Sequence, residues 1–366
     1  MKRIIYLLLL ALFIVACNSK PHYVIKGNID GADSTIFLLQ KIEAGNIITL
    51  DSSFSKKGIF KMTGTIEYPD MVQLIALNTP NRIYFYLENS DITITGKLDS
   101  LFAAKVSGSK TQDEYQSFFD AFKPLGEKYS KIVKDYQVAR QTNDAQKISD
   151  LEKEAEVIEK ERILLKIDFV KNNPTSYVAP SILKGISYYL EAEDMEAIIN
   201  AMDTNVAKVP IIKDLKVMTD AMKVVSPGKK APDFTMNDTN GNPVSLSSKI
   251  GSKLLLIDFW AAWCGPCRQE NPNIVRVYKE FHKKGFDILG VSLDQSKDDW
   301  IKAIADDKLT WTQVSDLQYF SNAAAKLYVV NSIPANFLLD SAGTIIARNL
   351  RGDDLYKKVK ELLTSN

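Results

Sequence analysis

The sequence predicts a multidomain protein with a small N-terminal all-β sandwich or barrel, a middle α-helical segment and a C-terminal layered α/β domain. Three observations carry this. At 366 residues the chain exceeds one ordinary compact domain. Short β-rich runs punctuated by turn residues fill the stretch from 22 to 108, and apolar residues recur at helical spacing from 109 to 225. From 226 to 366, strand-like and helical patterns alternate. Lys+Arg 46 against Asp+Glu 45 leaves a net charge of +1, which provides no electrostatic footprint for nucleic acid.

At the front, Lys2 and Arg3 precede an apolar run from Ile4 to Ala16. The run is shorter than the ~20 residues that span a bilayer, and it suits the apolar core of a signal peptide. Ile14-Val15-Ala16-Cys17 resembles the lipobox of bacterial lipoproteins. That resemblance implies cleavage after residue 16, acylation of Cys17 and a tether over 17–21. A plain secretory cut is the competing reading, which bulky Ile14 disfavours. With no acidic run after Cys17, the resemblance implies outer-membrane attachment and a body in the periplasm.

From 22 to 108, short runs such as Tyr23-Val24-Ile25 and Arg82–Leu87 are separated by Gly, Asn, Asp and Pro, and 91–96 alternates as a half-buried strand does. Lys56-Lys57-Gly58 reads as a hairpin turn. About seven strands are expected and no catalytic constellation. The aromatics at Tyr84 and Tyr86 suit core packing better than partner binding. This segment resembles the β-rich domain of unknown function that precedes the redox domain in envelope lipoproteins.

From 109 to 225, Tyr115, Phe118, Phe119 and Phe122 share a helical face that Tyr129, Ile132, Val133 and Tyr136 continue. The stripe is expected to pack on the β-domain. Pro124 should start a new helix or kink this one. Thr142-Asn143-Asp144 reads as a turn, the next helix ends at Asn172-Asn173-Pro174, and shorter helices follow near 176–190, 193–202 and 210–224. The mixed charge over 152–162 marks a solvated face.

Ser226 to Pro232 is a linker by composition. Beyond it come a strand at 254–260, a helix at 266–284, a strand at 286–293, a helix at 297–306, a hairpin over 336–347 and a helix at 353–363. The first strand leads into Trp263-Cys264-Gly265-Pro266-Cys267. Two cysteines separated by two residues at a strand-to-helix junction read as a dithiol/disulfide couple. The helix dipole and free backbone N–H groups favour Cys264 as a thiolate, with Cys267 one turn inside. The only other cysteine is Cys17 and the only histidines are His22 and His282. No metal site, cofactor or second disulfide is therefore expected.

Asp258-Phe259-Trp260-Ala261-Ala262-Trp263-Cys264-Gly265-Pro266-Cys267 closely resembles the site string of thioredoxin-fold thiol-disulfide oxidoreductases. Ala231-Pro232-Asp233-Phe234 and 238–246 resemble the N-terminal hairpin of the membrane-anchored TlpA-like or ResA-like branch. The resemblance implies a thioredoxin fold, Cys264 as attacking nucleophile and Cys267 as resolving thiol. It implies Asp258 as the base for Cys267, although many membrane-anchored relatives are neutral there; a satisfied polar core residue is the alternative. Glu270 matches an acidic residue that tunes the cysteines, or else simply favours a helix N-terminus. Trp263 and Ile333 are expected to contact substrate. Pro334 is expected to be cis and to pack against the disulfide, followed by Ala335 where threonine is common.

The leading reading is an envelope thiol-disulfide oxidoreductase that reduces exported proteins bearing disulfides and draws electrons from a membrane thiol-disulfide donor. A thioredoxin-fold peroxidase is disfavoured, because Ala261 stands where peroxidatic sites carry threonine. A binding lipoprotein with a redox-regulated domain is the non-enzymatic alternative.

Overall fold

The computed structural model describes residues 22–43 and 45–364. The expected signal peptide, Cys17 and the tether lie outside the described residues. Among the described residues, no helix is long and apolar enough to cross a membrane. The chain forms two compact units. One runs to Arg162 and takes in Ser176–Val178; the other comprises Ile163–Thr175 and everything from Ala179 onward.

In the first unit the period-2 segment forms β1 (Tyr23–Asp30), β2 (Ile36–Glu43), β3 (Asn46–Phe54), β4 (Ile59–Gly64), β5 (Asp70–Ala76), β6 (Arg82–Leu87), β7 (Asp91–Lys97) and β8 (Lys105–Ser107). They make two four-stranded sheets, ordered β4-β1-β7-β8 and β3-β2-β5-β6. Alternation turns Ile25 and Ile94 from one sheet, and Phe37, Leu39 and Phe85 from the other, into one shared core. Phe37 stacks on Phe60 across it at 4.4 Å. Two sheets facing across a common core make this a sandwich rather than a barrel. Lys57 and Gly58 both have positive φ, the requirement of the tight turn expected there. Tyr86 is buried, as expected of a core aromatic, whereas Tyr84 is half exposed.

Helix α1 (Lys110–Gln141) starts where Ser109 accepts the Gln112 N–H at 3.1 Å. It continues through Pro124 as one helix instead of restarting there. The carbonyl of Asp120 loses its donor to the proline, and because Asp120 is exposed that carbonyl is open to solvent, which lowers the cost. Helix α2 (Ala145–Asn172) follows a turn in which Asn143 adopts a left-handed conformation. The aromatic stripe divides its contacts. Tyr115 meets Tyr86 of the sandwich with ring centres 5.5 Å apart, whereas Ile132 and Ala139 pack with Leu151 and Ile158 of α2. A 32-residue helix is about 48 Å long, too long for a small sandwich to cover, so its distal face is closed by a second helix.

In the second unit, α3 (Ala179–Ile186), a 3₁₀ turn at Ser187–Tyr189, α4 (Ala192–Ala201) and α5 (Pro210–Val224) precede the α/β domain. That domain runs β9 (Thr235–Asp238), β10 (Pro243–Ser245), β11 (Leu254–Trp260), α6 (Gly265–Phe281), β12 (Phe286–Ser292), α7 (Lys297–Asp307), β13 (Thr312–Ser315), α8 (Ala323–Leu327), β14 (Ala335–Asp340), β15 (Ile345–Arg348) and α9 (Gly352–Thr364). The sheet order is β10-β9-β13-β12-β11-β14-β15. Strand β11 lies between parallel β12 and antiparallel β14 and is buried at every position, which explains its nearly unbroken apolar run. This is the thioredoxin-type layered fold.

The expected linker is not free. Gly228 N–H donates to the Ile345 carbonyl at 2.7 Å, and Ile345 N–H donates to the Lys229 carbonyl at 2.8 Å. Ala231 N–H donates to the Gly343 carbonyl at 2.9 Å. β15 is the last strand of the sheet, and its outer edge needs partners that the residues between Pro227 and Pro232 supply.

Candidate redox site

Strand β11 delivers the chain to the mouth of α6, and the turn between them carries the cysteines. Cys264 is the N-cap of α6, with Cys267 N–H donating to its Sγ at 3.1 Å. Pro266 occupies the first turn, where its missing N–H has no helical partner to lose. Cys264 and Cys267 form a disulfide, with Cα atoms 5.3 Å apart. Both are buried in this oxidised state.

The turn is fixed from two sides. Both oxygens of Asp294, just past β12, accept from Ala262 N–H at 3.1 and 3.0 Å, and Ser292 Oγ donates to the same carboxylate at 2.8 Å. Burial pushes the Asp294 carboxyl up, and the donor N–H of Ala262 opposes this. Arg268 donates to the Ala262 carbonyl at 3.3 Å and forms a two-pronged ion pair with Asp307 at the end of α7.

Asp258 is buried in the middle of β11. Desolvation pushes its carboxyl up to about 7; the Glu270 charge adds to the rise and the Arg351 guanidinium opposes it. Glu270 accepts from the backbone N–H of Gly352 at 2.9 Å and from Asn273 Nδ2 at 2.7 Å. It thus caps the start of α9 while its charge bears on Asp258. Trp263 is half exposed and packs on Tyr319 and Phe320, with ring centres 4.9 and 6.0 Å away. A cavity of about 760 Å³ opens beside Trp263 and Tyr319 and is lined with both charge signs, including Asp299 and Lys302. The Ile333-Pro334 peptide is cis, Pro334 is buried and Ile333 is half-buried.

The structure thus gathers Cys264, Cys267, Asp258, Glu270, Trp263, Ile333 and Pro334 into one domain, around the C-terminal end of β11 and the elements that flank it. Cys17 lies outside the described residues.

Residues 227–348 match the AhpC/TSA family and residues 23–115 match a domain of unknown function, DUF4369. The chain is 30% identical over 122 residues to the thiol-disulfide oxidoreductase ResA of Bacillus subtilis, spanning 33% of this chain and 66% of that one, just under two thirds. It is 32% identical over 141 residues to ResA of Geobacillus thermodenitrificans, covering 38% of this chain and 78% of the relative. The chain belongs to the ResA-like thiol-disulfide oxidoreductases. A crystal structure of the thioredoxin domain of a thiol-disulfide oxidoreductase from Bacteroides vulgatus is 41% identical, covering 38% of this chain and 99% of that one, with a TM-score of 0.36.

This ResA-like site also contains groups that the sequence reading does not name. Asp294 had a detectable signal, an acidic residue directly after an apolar parallel strand, where sites cluster in open α/β sheets. Arg351 and Tyr188 had none. They are 163 positions apart in the chain, yet Arg351 Nη2 donates to the Tyr188 hydroxyl at 2.7 Å.

Proposed function

We propose that this ResA-like oxidoreductase reduces disulfides in exported proteins through a mixed disulfide on Cys264. The observation that carries this is the placement of the Cys264 sulfur at the N-cap of α6, accepting a backbone N–H, with Cys267 one turn inside. Helix N-termini favour anions, so the reduced Cys264 is held as a thiolate. The thiolate attacks one sulfur of the partner disulfide. That bond breaks, a Cys264–partner bond forms, and the departing sulfur takes a proton. Asp258 accepts the proton of Cys267, whose thiolate attacks Cys264 Sγ. The second partner thiolate leaves, and the Cys264–Cys267 disulfide forms with two electrons passed to the partner. A carboxyl near 7 suits this duty at neutral pH. A membrane dithiol then returns the pair to its reduced form.

Half-exposed Trp263 and the backbone of Ile333 beside cis Pro334 supply the docking surface, an extended substrate segment pairing with the latter as an added strand. The resemblance of Gly265-Pro266 to thioredoxin supports the reductive direction. The Ile14–Cys17 string supports a lipid anchor at Cys17 that places the domain in the periplasm, where disulfide-bearing clients occur. Cys17→Ala is expected to move the protein from the membrane to the soluble fraction, and continued membrane retention would refute the anchor.

Trapping tests the mechanism. In Cys267→Ala the first step proceeds and the second has no attacking thiol. The variant expressed in its native envelope should therefore accumulate partners disulfide-linked to Cys264, absent from Cys264→Ala/Cys267→Ala. No adducts, together with no thiol-dependent insulin reduction by the wild type, would sink the proposal.

A further inference from the structure

The helical segment before the α/β domain reaches the redox site through Tyr188. Tyr188 lies in the 3₁₀ turn that follows α3, outside the fold that carries the cysteines. Its hydroxyl donates to the carbonyl of Pro334, the residue that follows the cis peptide bond. The same hydroxyl accepts from Arg351 Nη2 at 2.7 Å, and Arg351 Nη2 also donates to the Pro334 carbonyl at 2.6 Å. Carbonyl, phenol and guanidinium thus close a three-membered hydrogen-bonded ring. A second latch holds the segment in place. Arg348 of β15 donates to the Leu190 carbonyl at 2.9 Å and pairs with Glu191 at 3.1 Å.

We propose that Tyr188 is a positioning residue of the exchange reaction, its hydroxyl holding the Arg351 guanidinium against the cis-proline loop on the side of Asp258. The proposal rests on the function given above and deepens it, since it makes part of the helical segment a component of the redox site. Two charged groups act on Asp258, Glu270 from α6 and Arg351 just before α9, while the Asp258 charge in turn raises the Tyr188 phenol. Glu270 disfavours the carboxylate and Arg351 favours it. Burial pushes the Tyr188 phenol up while Arg351, and Arg348 more weakly, oppose the rise. A neutral phenol is what the ring requires, because it must donate to Pro334 while accepting from Arg351. A guanidinium that loses this seat swings toward solvent and its pull on Asp258 is screened.

The test is the pH profile of thiol-dependent disulfide reduction by the full chain, using insulin as substrate. The acid limb of the profile reports ionisation of Asp258 together with that of the attacking Cys264 thiol, and Asp258→Asn leaves only the Cys264 part. Tyr188→Phe keeps the ring and removes the hydroxyl, and Arg351→Gln removes the charge. Both should move the acid limb to higher pH, Arg351→Gln by up to about one unit, which is up to about tenfold in rate on that limb. Arg351→Lys, which retains the charge, should bring the limb most of the way back to its wild-type position. An acid limb at its wild-type position in both Tyr188→Phe and Arg351→Gln would overturn the proposal, as would a uniform loss of rate at every pH. A wild type without exchange activity, or an acid limb identical to the wild type's in Asp258→Asn, would instead overturn the underlying mechanism. The two failures are therefore distinguishable.

Discussion

Cys264→Ser is expected to abolish disulfide exchange, lowering kcat/KM toward a disulfide substrate by on the order of 10⁴-fold or more, as loss of a nucleophile does in other covalent mechanisms. The substitution separates chemistry from folding. Cys264 is the N-cap of α6 and accepts the Cys267 N–H, and serine is among the preferred residues for that duty. The hydroxyl therefore replaces the cap but not the reaction, because a serine alkoxide is not populated near neutral pH. The disulfide it removes closes a loop with a sequence separation of only 3, so little chain entropy is restored to the unfolded state. Insulin reduction should vanish while the urea midpoint stays close to that of the reduced wild type. Retention of more than a tenth of the activity would move the nucleophile elsewhere, and the sequence has only Cys267 and Cys17 to offer.

Asp258→Asn should have the second largest effect, with opposite signs for stability and rate. The carboxyl ionises near 3.8 when unperturbed and near 7 in the fold, so the folded protein binds its proton more tightly. Its contribution to stability is therefore complete below pH 3.8 and is lost as pH rises toward 7. Asparagine carries no ionisation. The oxidised variant should match the wild type near pH 4, gain stability with rising pH, and level off above pH 7 with an advantage of up to about 4 kcal/mol. Denaturant titrations at several pH values check this, and a pH-independent difference would refute it. Over the same range the variant should lose rate, because Cys267 has lost its proton acceptor. A loss of about a hundredfold or more at neutral pH suits removal of one general base.

Much of the architecture was legible because it depends on local pattern. The apolar run of β11, broken only by Asp258, announced a strand buried on both faces, and the Lys57-Gly58 turn announced its own backbone. The pentapeptide at 263–267 combined a strand end, a proline-started helix and two thiols, and that combination is rare enough to carry a family. Elements stabilised mainly by their neighbours were not legible. β13 and α8 are four and five residues long, too short to show a period. The helix through Pro124 tolerates the proline because the freed carbonyl is at an exposed residue, and residues 228–231 are ordered by the outer edge of β15 rather than by their own composition.

By itself the sequence carried the order of β-rich, helical and α/β segments and the redox pair, which local pattern encodes, while its companions Asp258, Glu270 and Pro334 were picked out by resemblance to the thioredoxin-fold oxidoreductases. Only the tertiary structure decided how those companions are charged and held. Asp258 is pushed to about 7 by burial and by a balance between Glu270 and Arg351, 12 and 93 positions away along the chain. The Pro334 carbonyl is held by Tyr188, 146 positions away. Desolvation and Coulomb forces depend on distance in space, which folding brings about between residues that no sequence spacing connects.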